Sequence, residues 1–264
     1  MENTVKSNIQ AFRMYENLYF VGSSRVSVHI IKTDEGLIML DTGYPDMYEQ
    51  ILDSMNDVGL DPKDICAIFH THGHIDHFGG TQRFKALSGA KTYISRIDND
   101  IVNGTLDLSW AKELNYEPLP PFDCDVLIED GDTFTFGKTT VRCVHSPGHT
   151  AGTMSIFVNI GEGEKSIVAA MHGGAGSNSM SAKFLNKYGL SFDCRDKFIE
   201  GLHKLKDEHV DLVMGNHPGQ NDTKGKLEKV LSGKGTVIDP DEWVRVLDKA
   251  EYNLNDHIEK EKNM

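Results

Sequence analysis

The chain has 264 residues, of which 39% are hydrophobic and 25% charged, and a formal net charge of −13. A chain of that size can bury a sizeable core without covalent staples, and the acidic balance argues against a nucleic-acid partner, which needs a basic face. Its four cysteines (Cys66, Cys124, Cys143 and Cys194) form no C-x-x-C pair, so a thiolate zinc knuckle and a thioredoxin-type motif are both excluded. No stretch approaches the roughly 20 apolar residues of a membrane span. Residues 1–25 lack the unbroken apolar run and small-residue cleavage site of a secretion signal. The expectation is a cytoplasmic protein, secreted only if a leader has been removed, acting on a small molecule and organised as one domain over 1–264. The sequence leaves the oligomeric state open.

In chain order, residues 18–21, 26–32 and 36–41 read as strands, the last ending in the turn Asp41-Thr42-Gly43. Residues 45–58 carry Met47, Ile51, Leu52 and Met55 at helical spacing with proline in the first turn. A short buried strand at 65–69 runs into a cluster of histidines, followed by a helix at 81–87 and a strand at 91–94. Residues 98–125 read as irregular, a segment placed to cover a pocket. Strands resume at 126–128, 133–136, 139–145, 153–158 and 166–170. Helices follow at 195–208, 223–231 and 241–255, with a strand at 210–214 between the first two. Two successions of strands, each followed by helices, imply a four-layered αβ/βα sandwich around a central pair of sheets.

The densest chemical signal is His70-Thr71-His72-Gly73-His74-Ile75-Asp76-His77. Residues two apart in extended chain point to one side, so His72 and His74 can face a single ion. Asp76 and His77, at the turn into the next helix, can face a neighbouring position. Imidazole nitrogen and carboxylate oxygen are ligands that zinc prefers. Burying so many imidazoles without a metal leaves ring nitrogens in need of partners; the alternative is an exposed histidine-rich loop. His149, in Ser146-Pro147-Gly148-His149-Thr150, and His217, in Asn216-His217-Pro218-Gly219, each follow a strand directly, where a sheet edge delivers side chains to a common rim. Asp41 stands in the same relation to its own strand. It is read as a carboxylate that accepts hydrogen bonds from ligating imidazoles or turn amides, with a simple turn aspartate as the alternative. His70 reads as supporting the cluster.

Together these motifs resemble the signature of the metallo-β-lactamase superfamily, over residues 19–222, and within it the third subclass of metallo-β-lactamases. The resemblance implies two zinc ions, the first held by His72, His74 and His149, the second by Asp76, His77 and His217. It implies a metallo-hydrolase in which the cations make water nucleophilic near neutral pH, Asp76 serves as the catalytic carboxylate that orients that water and handles its proton, and anionic substrates are favoured. The chain departs from the superfamily pattern at one point. Where glyoxalase II and the acyl-homoserine lactonases carry a metal-bridging aspartate, it reads Ala170-Met171-His172-Gly173-Gly174. That agrees with a β-lactamase-like site. The third subclass, however, has a serine-containing stretch here that helps hold substrate. His172 is therefore read as contacting substrate, completing a metal shell or capping a turn. A β-lactam or cyclic-amide hydrolase, and a hydrolase of other esters, thioesters or amides, are both compatible with this pattern. An iron-dependent oxidoreductase on the same fold is a third reading.

Overall fold

The computed structural model describes residues 9–263; the reading of the first eight residues as free of a leader lies outside them. Seven strands form the first sheet, in sequential order: β1 (Phe12–Tyr15), β2 (Leu18–Phe20), β3 (His29–Thr33), β4 (Gly36–Leu40), β5 (Ile65–Phe69), β6 (Lys91–Ser95) and β7 (Val126–Ile128). The first four meander antiparallel, and β4 to β7 run parallel. Parallel neighbours need crossovers, which come as α1 (Tyr48–Asp57), α2 (Ile75–Phe78), α3 (Thr81–Ser88) and α4 (Arg96–Val102).

The second sheet has the order β12-β11-β10-β9-β8, built from β8 (Thr133–Phe136), β9 (Thr139–His145), β10 (Met154–Ile160), β11 (Ile167–Met171) and β12 (Leu212–Val213). Its helices are α5 (Ala182–Tyr188), α6 (Asp193–Leu205), α7 (Thr223–Ser232) and α8 (Glu242–Lys262). Among the described residues, no helix is long and apolar enough to cross a membrane.

The alternation of side chains along each strand divides the apolar residues into layers. Leu18, Ile38, Leu40 and Phe69 of the first sheet meet Val141, Ile156, Val158 and Met171 of the second in one central core. On the outer face of the first sheet, Ile30, Met39 and Ile68 pack against Ile51 and Met55 of α1 and Phe84 of α3. On the outer face of the second, Phe157, Ala170 and Val213 pack against Phe198 and Leu202 of α6 and Trp243 and Leu247 of α8. The result is the αβ/βα sandwich that the strand and helix succession predicts.

Most strand boundaries agree with the sequence reading to within a few residues. The structure adds four elements, among them the single-turn α2 over Ile75–Phe78. β1 alternates buried and exposed residues but is only four residues long, too short for its period to stand out. α4 lies partly inside the segment read as irregular, because it buries Asp98 and Asn99 where an ordinary amphipathic helix buries apolar side chains. α5 is seven residues long, capped by the Ser181 hydroxyl at its start and by left-handed Gly189 at its end. α8 also runs on to Lys262, past the end read at 255.

The topology decides where the site must be. β4 and β5 are parallel, so residues following them emerge at one rim. β9, β11 and β12 also share a direction, since both β9 and β11 pair antiparallel with β10 and β12 pairs parallel with β11. Phe69 joins the two sheets just below this rim: it is fully buried, stacked on Tyr93 at 4.2 Å and set edge-on to Phe134 and Phe136 at 5.5 and 6.1 Å. Truncating it to alanine removes the aromatic contact between layers. Phe69→Ala is expected to cost about 3–5 kcal/mol and to lower the melting temperature by on the order of 10 °C in thermal unfolding of the metal-free protein; a shift of about 2 °C or less contradicts this placement of the core.

Candidate metal centre

Three loops converge on the rim: residues 70–77 after β5, 146–149 after β9 and 214–217 after β12. The ligand atoms of His72, His74 and His149 all lie within 4.8 Å of one another, as do those of His72, Asp76 and His77. The Nε2 atom of His217 is 3.5 Å from Asp76 Oδ2, and that of His77 is 3.4 Å from the same oxygen. All six side chains named from the sequence are thus brought together. His72 stands between the two groups, its Nε2 atom 3.0 Å from His74 Nδ1.

Four of the five imidazoles, all but His74, are held from behind. His72 Nδ1 donates to Gly173 O at 2.7 Å, His149 Nδ1 to Gly176 O at 2.8 Å and His217 Nδ1 to Arg25 O at 2.9 Å. His77 Nδ1 donates to Asp41 Oδ2 at 2.7 Å. With Nδ1 occupied, the tautomer is fixed and Nε2 is left as the free donor atom, the arrangement that ligating histidines take. Among the described residues the buried Nε2 atom of His77 makes no hydrogen bond, with Asp76 Oδ2 3.4 Å away, a costly state for a polar atom unless something binds there.

The electrostatics point the same way. Burial, aided by the neighbouring imidazoles, pushes His72 and His74 well below the usual histidine pKa, so both offer neutral lone pairs. Burial also works against a charged His77, but Asp76 and Asp41 flank it, outweigh that cost and raise its pKa to about 10. Asp76 is held far below the ordinary carboxylate range: His77 and His217 beside it outweigh a burial cost that acts in the opposite direction. Two buried carboxylates demand positive charge at this place, and a divalent cation supplies it as well as a proton does. The donor set of imidazole and carboxylate fits zinc.

Asp41 accepts from Thr71 N–H at 2.8 Å and from the Thr71 hydroxyl at 2.9 Å, in addition to His77. It holds the ligating loop, and its own backbone is left-handed, with φ 58°. His70 supports the cluster through Thr81, its Nε2 atom 3.2 Å from the Thr81 hydroxyl. His172 caps a turn: Gly174 N–H donates to its Nδ1 atom at 3.2 Å, and its ring sits edge-on to Phe198 of α6. Met171, at the end of β11, is part of the central core. The glycines that follow make room for the ligands. A β-carbon on Gly174 would lie 2.6 Å from the His149 ring, and one on Gly173 would lie 2.0 Å from Met154 O.

The sequence model of the metallo-β-lactamase superfamily matches residues 21–162, a span that contains five of the six converging side chains. The chain belongs to the metallo-β-lactamase superfamily. A subclass B3 metallo-β-lactamase of Bradyrhizobium japonicum, BJP-1, superposes with a TM-score of 0.85 at 24% identity, covering 97% of this chain and 96% of that one; the likeness is one of fold. An uncharacterised protein of Aquifex aeolicus is 28% identical over 139 residues, 52% of this chain and 62% of its own. A hydroxyacylglutathione hydrolase of Brucella anthropi is 31% identical over 91 residues, 34% of this chain and 28% of its own. The matches to these two curated relatives therefore span less than two thirds of each relative's length.

Reading the sequence of this superfamily member leaves Asp98 unnoticed. Buried in α4, its carboxylate accepts from Gly73 N–H at 2.8 Å, Gly152 N–H at 2.9 Å and the Thr150 hydroxyl at 2.6 Å. It therefore ties the 70–77 loop to the 146–152 loop. Ser95 three residues before it is a helix-start signal that identifies the element, although nothing local shows where the carboxylate points. Tyr44 also lines the site, in a cavity of ≈310 Å³ that includes Trp110 and Leu114; burial, with help from Asp76, raises its phenol to about 12, so it remains a neutral O–H donor at ordinary pH.

Asp41→Ala leaves His77 and Thr71 without their acceptor. Zinc affinity in competition with a chromophoric chelator is expected to fall about 10–100-fold, and unchanged affinity would show that Asp41 is only a turn residue.

Proposed function

We propose that this chain is a zinc-dependent hydrolase that uses two ions to cleave a carbonyl C–N or C–O bond in a β-lactamase-like manner. The observation that carries this reading is the convergence of six donor side chains from three loops, with the Nδ1 atoms of four imidazoles already engaged. His72, His74 and His149 would hold one ion, and Asp76, His77 and His217 the other. When bound, such a pair supplies Lewis acidity toward a carbonyl oxygen and a water whose pKa falls to near 7.

The protein's own part is to orient and to hold protons. Asp76, kept as a carboxylate by His77 and His217, is the acceptor that would align the attacking water and take up its proton. His74, His149 and Trp110 wall the cavity and limit access of bulk water. The half-exposed His217 stands at its mouth, with side-chain exposure of 37% against 10% for Asp76. Among the described residues no lysine or arginine lines this cavity, so the preference for anionic substrates would rest on the cations themselves.

A second reading, a hydrolase of non-lactam esters, thioesters or amides, is favoured by the 173–176 stretch. Its Gly173 carbonyl is spent on His72 and Asn216, at 2.7 and 2.8 Å, and its glycines pack against His149. The stretch thus cradles ligands and presents no hydroxyl side chain to substrate. Cytoplasmic location, a small anionic substrate and one domain over the whole chain complete the proposal.

The test is a panel of a penicillin, a cephalosporin, a carbapenem, a thioester and a lactone, run on chelator-treated and zinc-reconstituted protein. Activity is expected to vanish on chelation and return with about two zinc equivalents. Asp76→Asn is expected to lower kcat by at least about 100-fold while KM changes far less. Full activity in metal-free protein overturns the proposal, and full turnover in Asp76→Asn removes that residue from the chemistry.

A further inference from the structure

A second cavity opens on the far side of His74 and His149 and is larger than the one holding Asp76, ≈570 Å³ against ≈310 Å³. Both imidazoles line both cavities, so the two spaces meet at the candidate metal centre. The larger one is walled by Ile101, Leu108, Phe184 and Leu190, and its rim carries Ile97 and Leu106, which stay 44% and 42% exposed. Large aliphatic side chains left exposed at the mouth of a lined cavity mark a binding surface more than a packing one.

Trp110 lines the smaller cavity and packs against the wall of the larger one. Its ring centroid lies 5.5 Å from His74 and 5.2 Å from Phe184, so it has the ligating histidine on one side and the wall of the apolar chamber on the other. It is held there at a backbone angle bulky residues avoid, φ 63°, and its indole N–H is buried without a partner among the described residues. The preceding Ser109 carbonyl accepts from Ile75 N–H at 2.8 Å, which ties this segment to the start of α2. An outlier backbone beside a reactive centre, holding an aromatic ring between two spaces, is strain retained at a working position.

We propose that the chamber behind Trp110 is the subsite for an extended hydrocarbon chain on the substrate, so that the hydrolase prefers amides or esters with a medium-length aliphatic acyl group. This rests on the hydrolase reading above. Short of the chamber, such a chain would leave its methylenes in water; inside it they would be buried against Ile101, Leu108, Phe184 and Leu190, and each would add to binding. The chamber volume falls within the 300–1,000 Å³ typical of small-molecule sites, room for a chain and too large for a methyl group to fill.

The experiment uses the zinc-loaded full chain and two readouts. The first is kcat/KM on p-nitrophenyl acetate, butyrate, hexanoate, octanoate and decanoate. The second is calorimetric binding of acetate and octanoate, which share a carboxylate and differ only in chain length. We expect kcat/KM to rise about two- to fourfold per methylene up to about the octanoate ester, and octanoate to bind at least about 100-fold more tightly than acetate. Leu190→Trp, which fills the chamber, is expected to reduce both octanoate-to-acetate ratios at least about tenfold. Trp110→Ala is expected to change the chain length at which the rise levels off. Hydrolysis that is flat with chain length, together with octanoate binding no more tightly than acetate, overturns the subsite and leaves the hydrolase reading intact. Tight, length-dependent octanoate binding without hydrolysis of any ester supports the subsite and counts against the hydrolase reading.

Discussion

The carboxylate of Asp41 is the point on which the site turns. It sits at the end of β4 with no solvent exposure, in a left-handed backbone conformation that few non-glycine residues adopt. A buried carboxylate is costly unless its lone pairs are filled. Here they are filled by Thr71 N–H, the Thr71 hydroxyl and His77 Nδ1. These bonds fix the 70–77 loop to the neighbouring strand, so His72 turns its ring toward Gly173 and His77 presents Nε2 toward Asp76. Asp98 does the same for the middle of the loop through Gly73, and extends the grip to Thr150 and Gly152 beside His149. Two buried carboxylates, neither in the group of ligands, thus preorganise donors from opposite sheets.

That preorganisation explains why so many polar rings can be packed together. His72, His74 and His149 sit with ring centroids 4.6 to 4.7 Å apart and would repel one another if charged. Burial keeps them neutral, while the positive charge that Asp41 and Asp76 require collects on His77. Neutral imidazole lone pairs facing a space bordered by anions form a cation-binding environment before any cation arrives. An overall charge of −13 does not interfere, because most of that charge lies on exposed side chains screened by water.

Much of this was legible in the sequence because its signals are local. His72, His74, Asp76 and His77 fall within one turn-sized segment, and alternation in an extended chain is enough to pair the first two. His149 and His217 could be placed by their position just after strands, since strand ends of one direction share a rim. Asp41 was readable for the same reason. What was not legible depends on contacts across the fold. Asp98 sits in a helix with a polar buried face, which weakens the very periodicity that reveals helices. Trp110 lies in an irregular segment, and only the packing of Phe184 from α5, itself too short to read, makes it a wall. His172, standing among glycines at a strand end, is open in sequence to substrate contact, a place in a metal shell or a turn cap; in the structure it accepts from Gly174 N–H and its ring is edge-on to Phe198, while those glycines admit His149 and the Met154 carbonyl at close range.

The central claim, that side chains from three loops close around a pair of cations, is tested most directly by anomalous diffraction from zinc-soaked crystals measured on both sides of the zinc absorption edge. The account predicts two strong peaks, one among His72, His74 and His149 and one among Asp76, His77 and His217. Absence of density at both positions, or zinc bound only at surface carboxylates elsewhere, would contradict it.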